Sequence, residues 1–294
     1  MTIRTRSQKD DEIAAWSFLT PSLVLFIVFI IIPTIACIVL SFFEWNFFSE
    51  PSFVGVANYE RLFADTDAAR ALGVTMLFVV LGVVPTVVLG FVLAVLVNAN
   101  MPGVGVARVL YFVPVVLSVA VSAVLWSFLY DPRQGPLATV LRLFGLQAPD
   151  VLQMQTTAVP ALVIMMIWLA LPIVIIIYLS ALQRVPDDIY AAAALDGAGA
   201  WRILWSMTWP SVFPTTLILG VLQVINFVAS SLDVSLIMTN GGPLNASRSL
   251  GLYAYQEAFV HQDVGYSSTL SVLQLVVIVV IVVSGRLLTR RSAR

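Results

Sequence analysis

Arg184-Val-Pro-Asp-Asp-Ile-Tyr-Ala-Ala-Ala-Ala-Leu-Asp-Gly-Ala-Gly-Ala-Trp-Arg-Ile-Leu-Trp-Ser-Met-Thr-Trp-Pro210 is a polar island in an oily chain. Runs without a single Asp, Glu, Lys or Arg close on it from both sides, 151–183 and 203–232. Charged side chains are costly in hydrocarbon. Nothing inside a bilayer calls for Asp187, Asp188, Asp196 and Arg202 here. The segment is therefore read as lying outside the lipid, where a separate partner reaches it.

Further uncharged runs cover 13–43, 71–107, 109–130 and 264–285. About 20 apolar residues suffice to cross a bilayer as a helix. Trimmed of polar ends, the runs predict an all-α polytopic membrane protein with six transmembrane helices, 17–43, 72–97, 108–130, 158–182, 210–232 and 266–287. Tails at 1–16 and 288–294 and the polar segment 184–209 complete the chain. Asn98-Ala-Asn-Met-Pro-Gly-Val-Gly105 separates the second and third spans as a turn rich in helix breakers. Residues 234–247 are also uncharged, but Asn240-Gly241-Gly242-Pro243 breaks them too much to span.

Composition agrees. Of 294 residues 60% are hydrophobic and 11% charged, against ~25% charged in soluble domains. A net charge of −1 gives no electrostatic case for nucleic acid. Cys37 stands alone, which excludes a disulfide within the chain, and reads as a small buried hydrophobe. Lys9 is the single lysine and follows Ser7-Gln8, so a lysine-bearing phosphate-binding loop is absent. One histidine, His261, excludes the HExxH metal motif and reads as a solvated loop residue.

Basic residues set the orientation. With both termini cytoplasmic, ten of the fifteen Lys and Arg residues lie inside and five outside. Segment 184–210 is then cytoplasmic, and the longer loops 44–70, 131–157 and 233–265 face outward. Trp16 and Trp209 at the inner interface and Trp45 at the outer one form an ordinary aromatic belt.

Within the polar segment, Pro186 suits a first helical turn, and Asp187 and Asp188 suit its positive end. Ala191, Ala192, Ala193 and Ala194 favour a helix with a thin surface. Gly197 and Gly199 break it, and Ala200–Met207 can form a second helix that clusters Trp201, Leu204 and Trp205. Such a knob fits a groove on another protein, or rests on lipid headgroups.

These residues resemble the EAA loop of binding-protein-dependent ABC importer permeases. The family pattern, roughly E-A-A-x-x-D-G-A with a proline about a dozen residues on, stands here as Ala191-Ala-Ala-Ala-Leu-Asp196-Gly197-Ala198 and Pro210. Ala181–Tyr190, Gly55-Val-Ala-Asn-Tyr59, Thr239–Pro243 and Gly265-Tyr-Ser267 resemble the carbohydrate-importer branch, of the maltose and glycerol-phosphate type. The likeness covers nearly the whole chain. One departure is that the family's opening glutamate, which helps hold the coupling helix on the ATPase, is Ala191 here. A second permease subunit carrying the usual acid would make the two ATPase contacts unequal.

The resemblance implies the type I importer permease fold in a bacterial inner membrane. It implies a heterodimer with a second permease subunit, two cytoplasmic ATPases and an extracytoplasmic solute-binding protein. This chain is then no enzyme and carries no cofactor; ATP and magnesium sit on the ATPases. Tyr190, Ala191, Ala192, Ala193, Asp196, Gly197, Ala198 and Trp201 would contact the ATPase, and Asn240, Gly241, Gly242 and Pro243 would face the binding protein. The transported solute would be a sugar, an oligosaccharide or a glycerol-phosphate-like polyol, moved by alternating access.

Polar residues within spans mark the path. Gln223, Asn226, Ser230 and Asp233 are spaced 3, 4 and 3 on the fifth span, hence on one face. Ser267, Ser271 and Gln274 repeat the pattern on the sixth, and Ser118, Ser122 and Trp126 share a face on the third. Trp168 lies at mid-depth on the fourth span. An aromatic plate among amides and hydroxyls suits a neutral polyol, while helix packing explains the same residues without a ligand. Pro33, Pro85, Pro114, Pro160 and Pro172 permit kinks. An ion-coupled secondary transporter is the alternative, but it calls for inverted repeats or embedded acids, and only Asp233, at a span's edge, approaches this. An intramembrane enzyme lacks a nucleophile–base pair, and a channel lacks a charged ring.

Overall fold

The computed structural model describes residues 6–98 and 111–292. The expected turn 98–105 and the start of the third span at 108–110 lie outside these residues, except Asn98.

The first span consists of α1 (Arg6–Phe26), a π-helical turn (Ile27–Ile31) and α2 (Ile32–Leu40). It begins inside the segment read as a tail and ends three residues short of the expected Phe43. Phe43 and Glu44 (β1) instead pair antiparallel with Phe53 and Ser52 (β2), and the two phenylalanine rings meet edge-on at 5.4 Å. The π turn leads into Pro33. Proline has no N–H and its ring crowds the carbonyl four residues back. A wider turn, with Ile32 N–H on the Ile27 carbonyl, carries the helix past it.

After α3 (Ala57–Ala64), α4 runs Thr66–Asn98 and starts six residues earlier than expected. Asp65 caps it, its Oδ1 accepting from the amides of Asp67 at 2.8 Å and Ala68 at 3.3 Å. The third span departs furthest from expectation. Helical Tyr111 and Phe112 lead into a 3₁₀ turn (Val113–Val116) that holds Pro114, Leu117 and Ser118 are extended, and Val119–Tyr130 (α5) is helix. Ser118 caps α5 by accepting from Val121 N–H at 3.3 Å. At 12 residues α5 is shorter than a full crossing.

Next come α6 (Pro136–Leu143), α7 (Ala158–Leu182), α8 (Asp187–Leu195) and α9 (Ala200–Ile203). A second π turn (Leu204–Thr208) precedes Pro210 and joins α9 to α10 (Trp209–Met238). The fourth span matches expectation residue for residue. The fifth runs six residues beyond Leu232, so Asp233 is helical and not at a loop's edge. α11 (Leu250–Phe259) and α12 (Val264–Ser292) follow, the latter continuing into the expected tail. Among the described residues five helical stretches are long and apolar enough to cross a membrane, with α5 a shorter sixth.

The chain divides into two compact units, Asp65–Tyr253 with Gln274–Arg294, and Met1–Ala64 with Ala254–Leu273. In the larger, α4 packs along α7 and both meet α10. One cluster centres on Phe78, Leu162, Met165 and Phe227, and a second on Phe91, Ile175, Tyr178 and Leu219, all fully buried. By contrast, the first span is the most apolar and its central window has no buried residue. Its surface is matched to lipid or to another helix.

The smaller unit is tied by polar contacts. Ser41 O accepts from Asn58 Nδ2 at 3.0 Å and from Thr269 Oγ1 at 3.2 Å. Asn58 also reaches Phe43 O at 2.9 Å, and Tyr59 OH lies 2.7 Å from Ser41 Oγ. The Gly55–Tyr59 motif thus serves as a clasp around the end of the first span.

In the α5–α6 connection, Asp131 Oδ1 accepts from the amides of Gln134 at 2.7 Å and Arg133 at 2.8 Å. Those two bonds to the charged form hold its carboxyl below the usual carboxylate range. A lowered folded pKa gives stability that is present above the unfolded pKa and lost as pH falls through the folded one. Amide exchange at Gln134 and Arg133, corrected for intrinsic rate, should therefore speed up on acidification below the ordinary carboxylate pKa. Asp131→Ala should show the fast rate at all pH values. A pH-independent wild-type rate would contradict the assignment.

Candidate functional site

The 184–210 segment forms the expected two-helix knob. α8 ends at Leu195, and Gly197 takes φ +72. Ala198 N–H then reaches back to Ala193 O at 3.0 Å, closing the helix end with the wrapped bond that a left-handed residue permits. Ala193 is buried under the knob, and Thr208 Oγ1 donates to Tyr190 OH at 3.4 Å, holding α8 to the second π turn. Ala191, Asp196 and Gly197 are exposed, and Ala198 is half-buried. At the tip Leu195 is 90% and Trp201 73% exposed. The tip is thus an exposed apolar patch on a polar segment, of the kind that meets a protein or a membrane.

On α10, Gln223, Asn226 and Ser230 line a groove of about 290 Å³ together with Met166, Ala170 and Ile173 of α7 and Val119 of α5. They form a hydrogen-bonded ladder. Ser230 Oγ donates to Asn226 Oδ1 at 3.4 Å, and Asn226 Nδ2 donates to Gln223 Oε1 at 3.3 Å. Gln223 is buried while Asn226 is exposed to the groove. No charged side chain lines the groove among the described residues.

Other residues expected on the path lie outside the wall of this groove. Asp233 is exposed and outside the groove wall, which takes its neighbour Val234 instead. Trp168 packs on Trp126 at 5.6 Å, which in turn packs on Tyr130, and is not in the groove wall. Gln274 lies beside Gly251, away from the ladder. Ser118 is spent as a helix cap, and Ser267 and Ser271 donate to the carbonyls of Ala254 and Ser267.

Asn240–Pro243 fold into a tight loop. Asn240 and Gly241 both take positive φ, and Gly242–Pro243 is cis. Ser247 braces the loop, its Oγ donating to Gly242 O at 2.6 Å, while Thr239 Oγ1 lies 2.7 Å away. Behind it Arg248 is buried, with Nη2 2.9 Å from Asp67 and the guanidinium over the Tyr253 ring at 4.4 Å. Tyr253 OH donates to the capping residue Asp65 at 2.7 Å. Sequence reasoning missed this brace, because Arg248 carries no local motif and its ion-pair partner Asp67 lies about 180 residues away.

A second cluster escaped notice for the same reason. Arg61 bonds Asp263 at 2.6 Å, lies 3.4 Å from Glu257 and covers the Tyr266 ring at 3.7 Å. Burial alone lowers the Arg61 pKa, but the bond to Asp263 and the charges of Asp263 and Glu257 outweigh it and raise the value. His261 completes the cluster, with Nδ1 3.0 Å from Glu257. It is the exposed loop residue that was expected, with Glu257 as a partner.

Residues 13–294 match the family described as binding-protein-dependent transport system inner membrane component. A probable ABC transporter permease protein of Bacillus subtilis is 31% identical over 91% of this chain and 92% of its own. A multiple sugar-binding transport system permease protein of Streptococcus mutans is 29% identical over 90% of each chain. Among solved structures, a bacterial alginate ABC transporter, in complex with an alginate pentasaccharide-bound periplasmic protein, gives a TM-score of 0.86 over 99% of both chains at 19% identity.

Proposed function

The chain belongs to the binding-protein-dependent transport system inner membrane component family, and from that premise we propose that it is one permease subunit of an ATP-driven importer of a neutral carbohydrate or related polyol. The observation that carries the solute class is the uncharged amide and hydroxyl ladder Gln223–Asn226–Ser230 in an otherwise apolar groove. Amides can pair with sugar hydroxyls, and aliphatic walls can cover a sugar's apolar face. An anionic solute would leave its charge unpaired there. The sugar-transport relative supports the carbohydrate reading.

In this reading the knob at Tyr190–Trp205 docks on one of two cytoplasmic ATPases, and both termini are cytoplasmic. A second, homologous permease subunit completes the path. An extracytoplasmic binding protein meets the Asn240–Pro243 loop and delivers the solute. ATP and magnesium bind the ATPases, and their closure turns the spans from inward-facing to outward-facing. A second subunit that carries the family's acid, which is Ala191 here, would make the two ATPase contacts unequal.

Reconstitution in vesicles tests this directly. Uptake of a neutral sugar should require ATP inside and the loaded binding protein outside, and should ignore a protonophore. Uptake abolished by the protonophore and indifferent to ATP would establish a secondary transporter instead. Gln223→Leu and Asn226→Ala should each lower the initial uptake rate at limiting solute, by about 2- to 10-fold for one neutral hydrogen bond. Unchanged uptake in both would remove the ladder from the path.

A further inference from the structure

The aromatic residues of the second π turn do not stop at the knob. Trp201 meets Trp205 edge-on at 5.6 Å, and Trp205 meets Trp209 at 5.8 Å. Trp209 stands edge-on to Phe91 of α4 at 4.8 Å, and Phe91 stands edge-on to Tyr178 of α7 at 5.6 Å. Tyr178 OH donates to Thr216 Oγ1 at 2.9 Å. Ile177 and Leu219, neighbours of those last two residues along α7 and α10, are in the groove wall. An unbroken line of rings thus leads from an exposed tip to Tyr178, next to the groove residue Ile177, touching three spans on the way. Exposure falls along it from 73% at Trp201 through 45% at Trp205 to none at Tyr178.

We propose that Trp205 and Trp209 are positioning residues that carry displacement of the knob to the groove, with the Leu204–Thr208 π turn as the element that changes register. The proposal rests on the importer reading and says how its two ends communicate. Two physical features support it. Aromatic rings have few rotamers and a preferred edge-to-face geometry, so a ring column transmits a shift that a column of leucines would absorb by changing rotamer. A π turn also holds one residue more per turn than the helix around it, and can pass that residue along. Trp209 N–H bonds Leu204 O, five residues back, so the turn ends at the ring that faces Phe91. Moving the extra residue would rotate Trp205 relative to Trp209 without breaking either flanking helix.

The test uses the complete complex in lipid, with its ATPases and its loaded binding protein. Three quantities are measured: ATPase retention, basal ATP turnover, and the stimulation of turnover by the binding protein. Trp209→Ala should keep the ATPases bound and basal turnover present, while stimulation falls about tenfold, a typical size for allosteric coupling. Trp209→Phe keeps a ring and should restore most of the stimulation, which a purely structural role for the indole's bulk would not predict. Where Trp209→Ala fails to assemble, Trp205→Ala decides, since that half-exposed ring lies on the far side of the π turn; lost stimulation with the ATPases still bound and basal turnover kept supports the ladder, and normal stimulation overturns it. Normal stimulation in Trp209→Ala overturns the ladder and leaves the importer reading intact. A wild-type complex with no response to the binding protein overturns the importer reading and the ladder together.

Discussion

Gly82→Leu is expected to yield no folded permease. Gly82 lies on α4 where the ring of Phe227, from α10, rests on it. A Cβ placed at position 82 would fall among the Cε1, Cδ1 and Cζ atoms of that ring. Phe227 is fully buried and belongs to the same cluster as Phe78, Leu162 and Met165, so the ring has no free volume to enter. Only separation of α4 from α10 relieves the clash. Ordinary overpacking costs about 1–3 kcal/mol, but a leucine here enters space already filled and loses the α4–α10 contact as well. That loss takes a large part of the roughly 5–15 kcal/mol that holds a typical protein folded. Detergent extracts should show no monodisperse peak by size-exclusion chromatography. Gly220→Ala, where a Cβ would meet nothing within 4 Å, should behave as wild type. Adding Phe227→Ala to Gly82→Leu should restore part of the folded peak. A normal peak from Gly82→Leu alone would show that the packing at this crossing is not as described.

That contact also marks a limit of sequence reading. Hydropathy placed the spans because the bilayer acts on every residue of a run at once. The fourth span, α7, has both ends marked by composition and came out as expected. Span ends fixed by particular bonds did not. α4 starts early because Asp65 caps it, α2 stops early because Phe43 prefers to pair with Phe53, and α5 is cut short by Pro114. Both π turns precede a proline, so a proline-induced irregularity was readable, but its conversion to a wide turn and not a kink was not. Which glycine meets which ring depends on helix rotation, and that is set by partners far along the chain.

The candidate site divides in the same way. Gln223, Asn226 and Ser230 share a helix face by spacing alone, and the structure places them together on one groove. Trp168 was placed by depth only, and its ring turns to Trp126 instead. The motifs Gly55–Tyr59 and Gly265–Ser267 were legible as signatures but not as mechanics. Asn58 and Tyr59 clasp the end of the first span, and Tyr266 lies under Arg61. The aromatic line through Trp209 was invisible because Phe91 and Tyr178 look like any other apolar residues of a span.

Asp196→Arg and Gly197→Trp should each strip the ATPase from the purified complex while leaving the permease folded. The reasoning starts from what these residues do not touch. Asp196 is exposed, and a Cβ at Gly197 would meet nothing within 4 Å. The permease itself therefore has room for either side chain. Gly197 does carry a left-handed φ of +72, and a side chain there costs about 1–2 kcal/mol. That cost falls on the α8–α9 turn, held by Ala198 N–H on Ala193 O, and not on the spans. It tilts a tip whose exposed face is Leu195 and Trp201. A docked partner meets a reversed charge in one variant and added bulk with a changed tilt in the other. A hot-spot residue at the centre of an interface costs about 2 kcal/mol or more when altered, which weakens association by about 30-fold. Uptake should fall to background, with the thermal midpoint of the isolated permease nearly unchanged. Ala191→Glu supplies the acid this chain lacks and should slow ATPase loss on dilution. ATPase retained by both Asp196→Arg and Gly197→Trp would place the docking surface elsewhere on the chain.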